Sequence, residues 1–575
     1  MKRFFTILSA VAAIVSCSGP RDGEYTLRLL TTNDVHGRYF DSLYVDGGTD
    51  NALTNIAWYV DSLRIAEGSD NVILLDAGDC LQGDNAAYYF NYVDTISKHL
   101  YARMTEYIGY DAVVVGNHDI ETGHDVYDRM ARSMEVPLLA ANAMRTDNGK
   151  PYFQEYVTLK RHGLKITIIG FTNPNIKGWL SPVLWEGMVF ESLLPKAQEV
   201  VDRVCEKESP DVVIVAVHAG TGPGDGSSLE SQGLDLFKSL RGVDFVVCAH
   251  DHRPVTYQND SICLINSGSH CRNIGLGTVT LSVRDGKVVS KQLEAGLLSV
   301  DKKNVDKKMQ EIFRSDFEAV KAFTLKEVGA LKTDLRTIDA YRGMSDYLNL
   351  IHTVSLGCTP AQISFAAPLT FNGYVEAGTL VYNDLFTIYP YENQLFVVKM
   401  TGLEVKNYLE YSYEAWINTI TSADEHLLKI VDRPDPRTRQ KQWSFVNRSY
   451  NFDSAGGLVY TVDVTKPYGQ RIKIGSLADG STFAEEAEYN VAMTSYRASG
   501  GGGIMRSGAG IDTDRIADRV VAYHPEIREI LYDYLMRNGE ISSQRISNDS
   551  IIGQWRFVPE SLAEKALDRD MNLLF

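Results

Sequence analysis

The chain has 575 residues, 44% of them hydrophobic and 23% charged, and carries a formal net charge of −17. That length exceeds what one core fills and predicts two domains of ordinary globular composition. The acidic balance excludes nucleic-acid polymers as partners, because no basic surplus displaces their counterions, and leaves small anionic substrates open.

Met1-Lys2-Arg3 is a basic start, and Phe4 to Val15 is an apolar run too short to span a bilayer but right for a signal-peptide core. Ile14-Val15-Ser16-Cys17 resembles a bacterial lipobox, followed by the polar Ser18-Gly19-Pro20. The expectation is a signal peptide and tether over residues 1–24 and export to the periplasm or cell envelope. A lipid on Cys17 would anchor the chain to the membrane; an ordinary secretory signal is the alternative. No later apolar run is long enough to span.

Residues 25–295 alternate short apolar strands with helix-like segments such as Asn51 to Ala66 and Val126 to Met134, which predicts a layered α/β domain. Five strand-like runs end in metal-type ligands. Thr26 to Thr32 leads into Asn33-Asp34-Val35-His36, and Asn71 to Ala77 into Gly78-Asp79. Asp111 to Val115 leads into Gly116-Asn117-His118-Asp119, Asp211 to Val217 into His218, and Val243 to Ala249 into His250-Asp251-His252. Open α/β sheets place their sites at such carboxyl ends. Oxygen and imidazole donors without thiolate suit Zn, Mn, Fe or Co. Further strands are expected at Val136 to Ala141, Lys165 to Phe171 and Gly275 to Ser282, with a turn at Ser267-Gly268-Ser269. Cys80, beside Asp79, is read as core, and the six cysteines after Cys17 admit no pairing from sequence.

Residues 296–330 read as an amphipathic linking helix, with Met309, Ile312, Phe313 and Phe317 at helical spacing. A second domain is expected over 331–555, with helices near Ser345 to Leu356 and Gly402 to Tyr411, and strands at Gln362 to Ala366 and Leu395 to Met400. Residues 556–575 are left as a tail. His99, His124, His162, His270, His352, His426 and His524 stand outside any motif and are read as surface or packed residues.

The five polar blocks resemble the metallophosphoesterase signature Asp-x-His, Gly-Asp, Gly-Asn-His-(Asp/Glu), a later His, and His-x-His. The resemblance implies a two-metal site bridged by Asp79. Asp34, His36 and His252 would complete one shell, and Asn117, His218 and His250 the other. His118 would act on the phosphoryl group or protonate the leaving oxygen. Many relatives carry Asp three residues after that histidine; Glu121 stands there in this chain. In the second domain Ala366-Ala367-Pro368, Tyr389-Pro390-Tyr391-Glu392-Asn393-Gln394-Leu395, Tyr450-Asn451-Phe452-Asp453 and Tyr496-Arg497-Ala498-Ser499-Gly500-Gly501 look like the C-terminal domain of periplasmic nucleotidases. They look most like the bifunctional 2',3'-cyclic-nucleotide 2'-phosphodiesterase/3'-nucleotidases. That likeness implies a layered metallophosphoesterase β-sandwich flanked by helices, with a second α/β nucleotide-binding domain. Tyr450 and Tyr496 would sandwich the base, with Asn393 as a polar contact. In 5'-nucleotidases the last motif continues to Gly-Gly-Asp, whose carboxylate holds the ribose hydroxyls. Gly502 fills that position here, which favours substrates phosphorylated on the 2' and 3' oxygens. The alternatives are a 5'-nucleotidase of the same family and a non-catalytic nucleotide-binding lipoprotein. No protein partner is implied.

Overall fold

The computed structural model describes residues 19–434 and 441–575. Cys17 and the apolar run before it lie outside the described residues. Among the described residues no helix is long and apolar enough to cross a membrane.

Two six-stranded mixed sheets face each other in the first half of the chain. One runs Lys287–Ser299, Asn273–Arg284, Gly23–Thr32, Val72–Asp76, Ala112–Val114, Leu138–Leu139. The other runs Val255–Gln258, Cys263–Asn266, Phe245–Val247, Val212–Val217, Leu164–Phe171, Tyr156–Arg161. The inner strands of each are parallel. Alternation along the pleat explains the layers. Val212, Ile214 and Ala216 point between the sheets, where they meet Leu27, Leu29 and Ile73. Val213, Val215 and Val217 point outward onto helix Leu193–Glu208. With both faces buried, such strands read as continuous apolar runs. On the other flank, helices Leu53–Glu67, Leu100–Ile108 and His124–Ser133 cover the first sheet with Ile56, Met104 and Met130. The run expected from Val136 to Ala141 joins the first sheet over Leu138–Leu139; beyond it Ala140 N donates to Gln154 O and Ala141 N to Gly170 O of the second sheet.

The segment between the domains is two helices, Lys307–Ile312 and Arg314–Thr324, in place of the single one expected. Asp306 caps the first by accepting from Lys308 N at 2.9 Å and Met309 N at 3.0 Å. Met309 and Phe313 are buried in the first domain's core, while Ile312 is exposed. Strand Lys287–Ser299 runs past residue 295, so the sheet extends into the stretch read as linker.

The second domain centres on a five-stranded sheet, ordered Ser454–Gly456, Ile363–Ala366, Glu488–Thr494, Gln394–Thr401, Val520–Glu526. Helix Asp346–Cys358 packs against it, and helix Gly402–Trp416 begins at a capping box. There Thr401 N donates to Glu404 Oε2 at 2.8 Å, and Glu404 N donates to Thr401 Oγ1 at 3.2 Å. Residues 556–575 are not a tail. Strand Gly553–Val558 pairs in parallel with Leu458–Asp463, and helix Glu560–Leu574 buries Ala563, Ala566, Leu567 and Met571 in the core. That three-and-four spacing is an apolar helical stripe. The two domains meet through Asn85 Nδ2, which donates to Asn383 Oδ1 at 3.1 Å, and through the rings of Tyr88 and Tyr382, 5.4 Å apart.

Candidate metal centre and facing tyrosines

The carboxyl ends of the parallel strands converge on one point. Two groups of donors form there: Asp34, His36 and His252, and Asp79, His218 and His250, with the donor atoms of each within 4.8 Å of one another. Asp34, His36, Asp79, His250 and His252 all have positive φ, between 48° and 69°. Non-glycine residues are uncommon in that region, and a run of them at one locus marks a backbone bent to aim side chains inward.

Asp119 holds the bend. Its carboxylate accepts from Gly116 N at 2.7 Å, Asp79 N at 3.1 Å, Cys80 N at 2.9 Å and Leu81 N at 3.0 Å. Cys80 is buried, with its thiol donating to the same carboxylate at 3.2 Å. It lies in this loop and not on a strand. A Cβ on Gly116 would sit 2.1 Å from Asp79 Oδ1, so only glycine admits this approach. Asn33 ties the second loop. It donates to Asp34 Oδ2 and to Gly268 O, each at 2.6 Å, and accepts from Ser267 N at 3.1 Å.

The donor set fits divalent cations. His36 Nε2 and His252 Nε2 lie 2.9 Å apart, a spacing at which two lone pairs repel unless a proton or cation is shared. His36 Nδ1 faces Gln82 O at 3.2 Å and His218 Nδ1 faces Ala77 O at 2.8 Å, which leaves each Nε2 free to ligate. Asn117 Oδ1 is buried without a hydrogen-bond partner. Burial lowers His36 to about 4 and His250 to about 3, so both are neutral at pH 7, the form that can ligate a cation. Burial opposes charge on His218 too, but the Asp79 carboxylate, 2.9 Å from its Nε2, raises it to about 9. A cation binding there exchanges with that proton.

His118 stands beside the triads, its Nδ1 2.5 Å from Glu121 Oε2. Burial alone would lower its affinity for a proton, but the carboxylates of Asp79 and Glu121 raise it to about 10. Glu392 of the second domain adds to that pull. His270, read as a bystander, has its ring centroid 5.4 Å from that of His36 and 5.9 Å from that of His252. The turn Ser267-Gly268-Ser269, pinned by Asn33, carries it there.

Tyr450 and Tyr496 are neighbours with centroids 6.5 Å apart, but their planes are inclined by 81° and do not form two parallel walls. Tyr391, passed over in the sequence, packs edge-on to Tyr450 at 6.3 Å. Arg497 organises this cluster. Its Nε and Nη2 donate to the buried Asp453 at 2.7 and 2.8 Å, Nη2 also to Tyr450 O at 2.5 Å, and Nη1 to Asn451 Oδ1 at 3.0 Å and Gly501 O at 2.8 Å. Gly502 is hemmed in: a Cβ there would lie 2.5 Å from Asn451 Oδ1 and 2.7 Å from Arg497 Nη1. Asn393 is half-buried two residues from Tyr391, and its carbonyl accepts from Ile527 N. Helix Ser495–Ala498, which carries Tyr496, lies against Ile176–Trp179 of the first domain, whose Trp179 stacks on His250.

Known families agree with this geometry. Residues 27–254 match the calcineurin-like phosphoesterase family, and the protein is a hydrolase of phosphoric esters. Residues 327–507 match the 5'-nucleotidase C-terminal domain. The chain belongs to the metallophosphoesterases that carry that second domain. A 2',3'-cyclic-nucleotide 2'-phosphodiesterase/3'-nucleotidase of Haemophilus influenzae is 25% identical over 97% of this chain and 92% of its own length. A trifunctional nucleotide phosphoesterase of Bacillus subtilis is also 25% identical, over 91% of this chain, which spans 39% of that protein. A solved 5'-nucleotidase precursor from Thermus thermophilus superposes with a TM-score of 0.59 over 93% of this chain and all of its own, at 20% identity, a likeness of fold.

Proposed function

We propose that the protein hydrolyses 2',3'-cyclic nucleotides and 3'-nucleotides outside the cytoplasm, releasing nucleoside and phosphate, with two divalent ions drawn from Zn, Mn, Fe or Co. The observation that carries the reading is the pair of donor triads meeting beside His118 and Glu121, with the helix that bears Tyr496 packed on the segment that ends at Trp179. Asp34, His36 and His252 would hold one ion, Asn117, His218 and His250 the other, and Asp79 both. When bound, such ions activate water and offset charge on phosphoryl and leaving oxygens. Glu121 fixes the His118 ring through Nδ1, and the protonated imidazole gives its other proton to the departing ribose oxygen. The cyclic ester is opened first, and the 3'-monoester is then cut at the same site.

The tyrosines take the base by stacking, which tolerates any base. Tyr450 or Tyr496 turns about its side-chain bonds to admit a flat ring. Asn393 supplies a polar contact to the base. The crowding at Gly502 supports the choice of phosphate position. A carboxylate there would displace Asn451 and Arg497, so this chain offers no charged acceptor at that position for free ribose hydroxyls. Export rests on the basic start and apolar run, with Cys17 as the lipid-bearing residue. Initial rates on 5'-AMP, 3'-AMP and 2',3'-cyclic AMP under one metal condition test the substrate assignment. Higher kcat/KM for the latter two is expected; a clear preference for 5'-AMP overturns it.

A further inference from the structure

Trp179 was not singled out by any sequence motif, yet its indole lies flat on the imidazole of His250, with centroids 5.1 Å apart and planes inclined by 23°. His250 is half-buried and differs from the buried imidazoles of the centre, His36 and His218. The Nδ1 atoms of His36 and His218 are each held by a backbone carbonyl. Among the described residues neither ring nitrogen of His250 has a hydrogen-bond partner; only its backbone N–H is engaged, with Asp34 Oδ2 at 3.0 Å. A ligating imidazole is ordinarily oriented by a hydrogen bond to its second nitrogen. Without one, rotation about the ring's own bonds is limited only by what packs against its faces. The edge of His218, at 5.4 Å and 75°, borders one side, and the plane of Trp179 lies along the ring.

We propose that Trp179 is a positioning residue for the metal centre, and that stacking on its indole sets the orientation of His250 in place of the missing hydrogen bond. The inference rests on the two-ion reading above. Aromatic pairs contribute about 0.5–1.5 kcal/mol beyond their buried area, so losing the plane should weaken the His250 ion by about two- to tenfold. The ion held by Asp34, His36 and His252 should be unaffected.

The full mature chain, stripped of metal and titrated with Co²⁺ against a chromophoric chelator, tests this. Wild type should give two binding constants and a cobalt absorption spectrum for each site. Trp179→Leu should weaken one constant and alter one spectrum, while Trp179→Phe, which keeps a ring plane, should restore both. Trp179→Met, which keeps apolar bulk without a plane, should behave as Trp179→Leu and carries the test if that variant does not fold. Unchanged constants and spectra in Trp179→Leu or Trp179→Met overturn the proposal. So does equal loss in Trp179→Phe. Failure of wild type to take up two ions would instead overturn the two-ion reading.

Discussion

Asp119 is the residue on which the geometry of the centre leans most heavily, and Asp119→Asn perturbs it with almost no change in shape. The native carboxylate accepts four backbone N–H groups and the Cys80 thiol, divided between its oxygens. Oδ1 takes Cys80 N, Leu81 N and the thiol; Oδ2 takes Asp79 N and Gly116 N. An asparagine that keeps its oxygen at the Oδ1 position turns its NH₂ onto Asp79 N and Gly116 N. Two buried donors then lose their acceptor, at about 1–3 kcal/mol each, or about 2–6 kcal/mol together. That is a large part of the ~5–15 kcal/mol that holds a typical domain folded. Chemical denaturation followed by the first domain's transition should show this loss. The folded fraction should also bind less metal, because the same N–H groups fix Asp79 at φ 60°. A wild-type midpoint together with full metal content would refute the argument.

Further outcomes follow from other contacts. His118→Ala should retain its metal and lose about 10²–10⁴-fold in kcat, the usual range for a general acid; phosphate release beside elemental analysis checks both. Tyr496→Ala should raise KM for AMP isomers, since stacking on a base contributes about 1–3 kcal/mol, and should leave kcat for small phosphate monoesters unchanged. His352 is buried against Ser364 Oγ at 2.7 Å, and burial lowers it to about 3. Folded protein keeps it neutral while unfolded chain takes up a proton below pH ~6.5, so stability is lost as pH falls from there, at about 1.4 kcal/mol per pH unit. Comparing unfolding free energies at pH 7 and pH 5, the loss should be smaller in His352→Gln.

That Asp34, His36, Asp79, His218, His250 and His252 meet at one point was legible because each follows a short apolar run that ends as a strand of the layered sheets. What was not legible depends on contacts far apart in sequence. Asp119 sits inside the signature, but its work on the Gly78 to Leu81 loop requires the two loops to be adjacent. His270 had no motif around it; Asn33, more than 230 residues earlier, draws its turn into the centre. The tyrosines were named from their neighbours in sequence, while their mutual angle is set by Arg497 and Asp453, which tie Tyr450 to the Gly500 loop. The helix over Glu560–Leu574 is a different case. Its apolar spacing was present in the sequence and its docking partners, strand Lys441–Phe445 and the His426–Leu428 turn held by Asp570, were not.

The most direct test of the account is the number of ions held and their dependence on Asp79. Protein purified without chelator and reloaded with Zn²⁺ or Mn²⁺ should contain two ions per chain by elemental analysis, and Asp79→Ala should lower the occupancy of both, because both would share that carboxylate under the proposed assignment. A single ion in wild type, or two ions retained after Asp79→Ala, would contradict it.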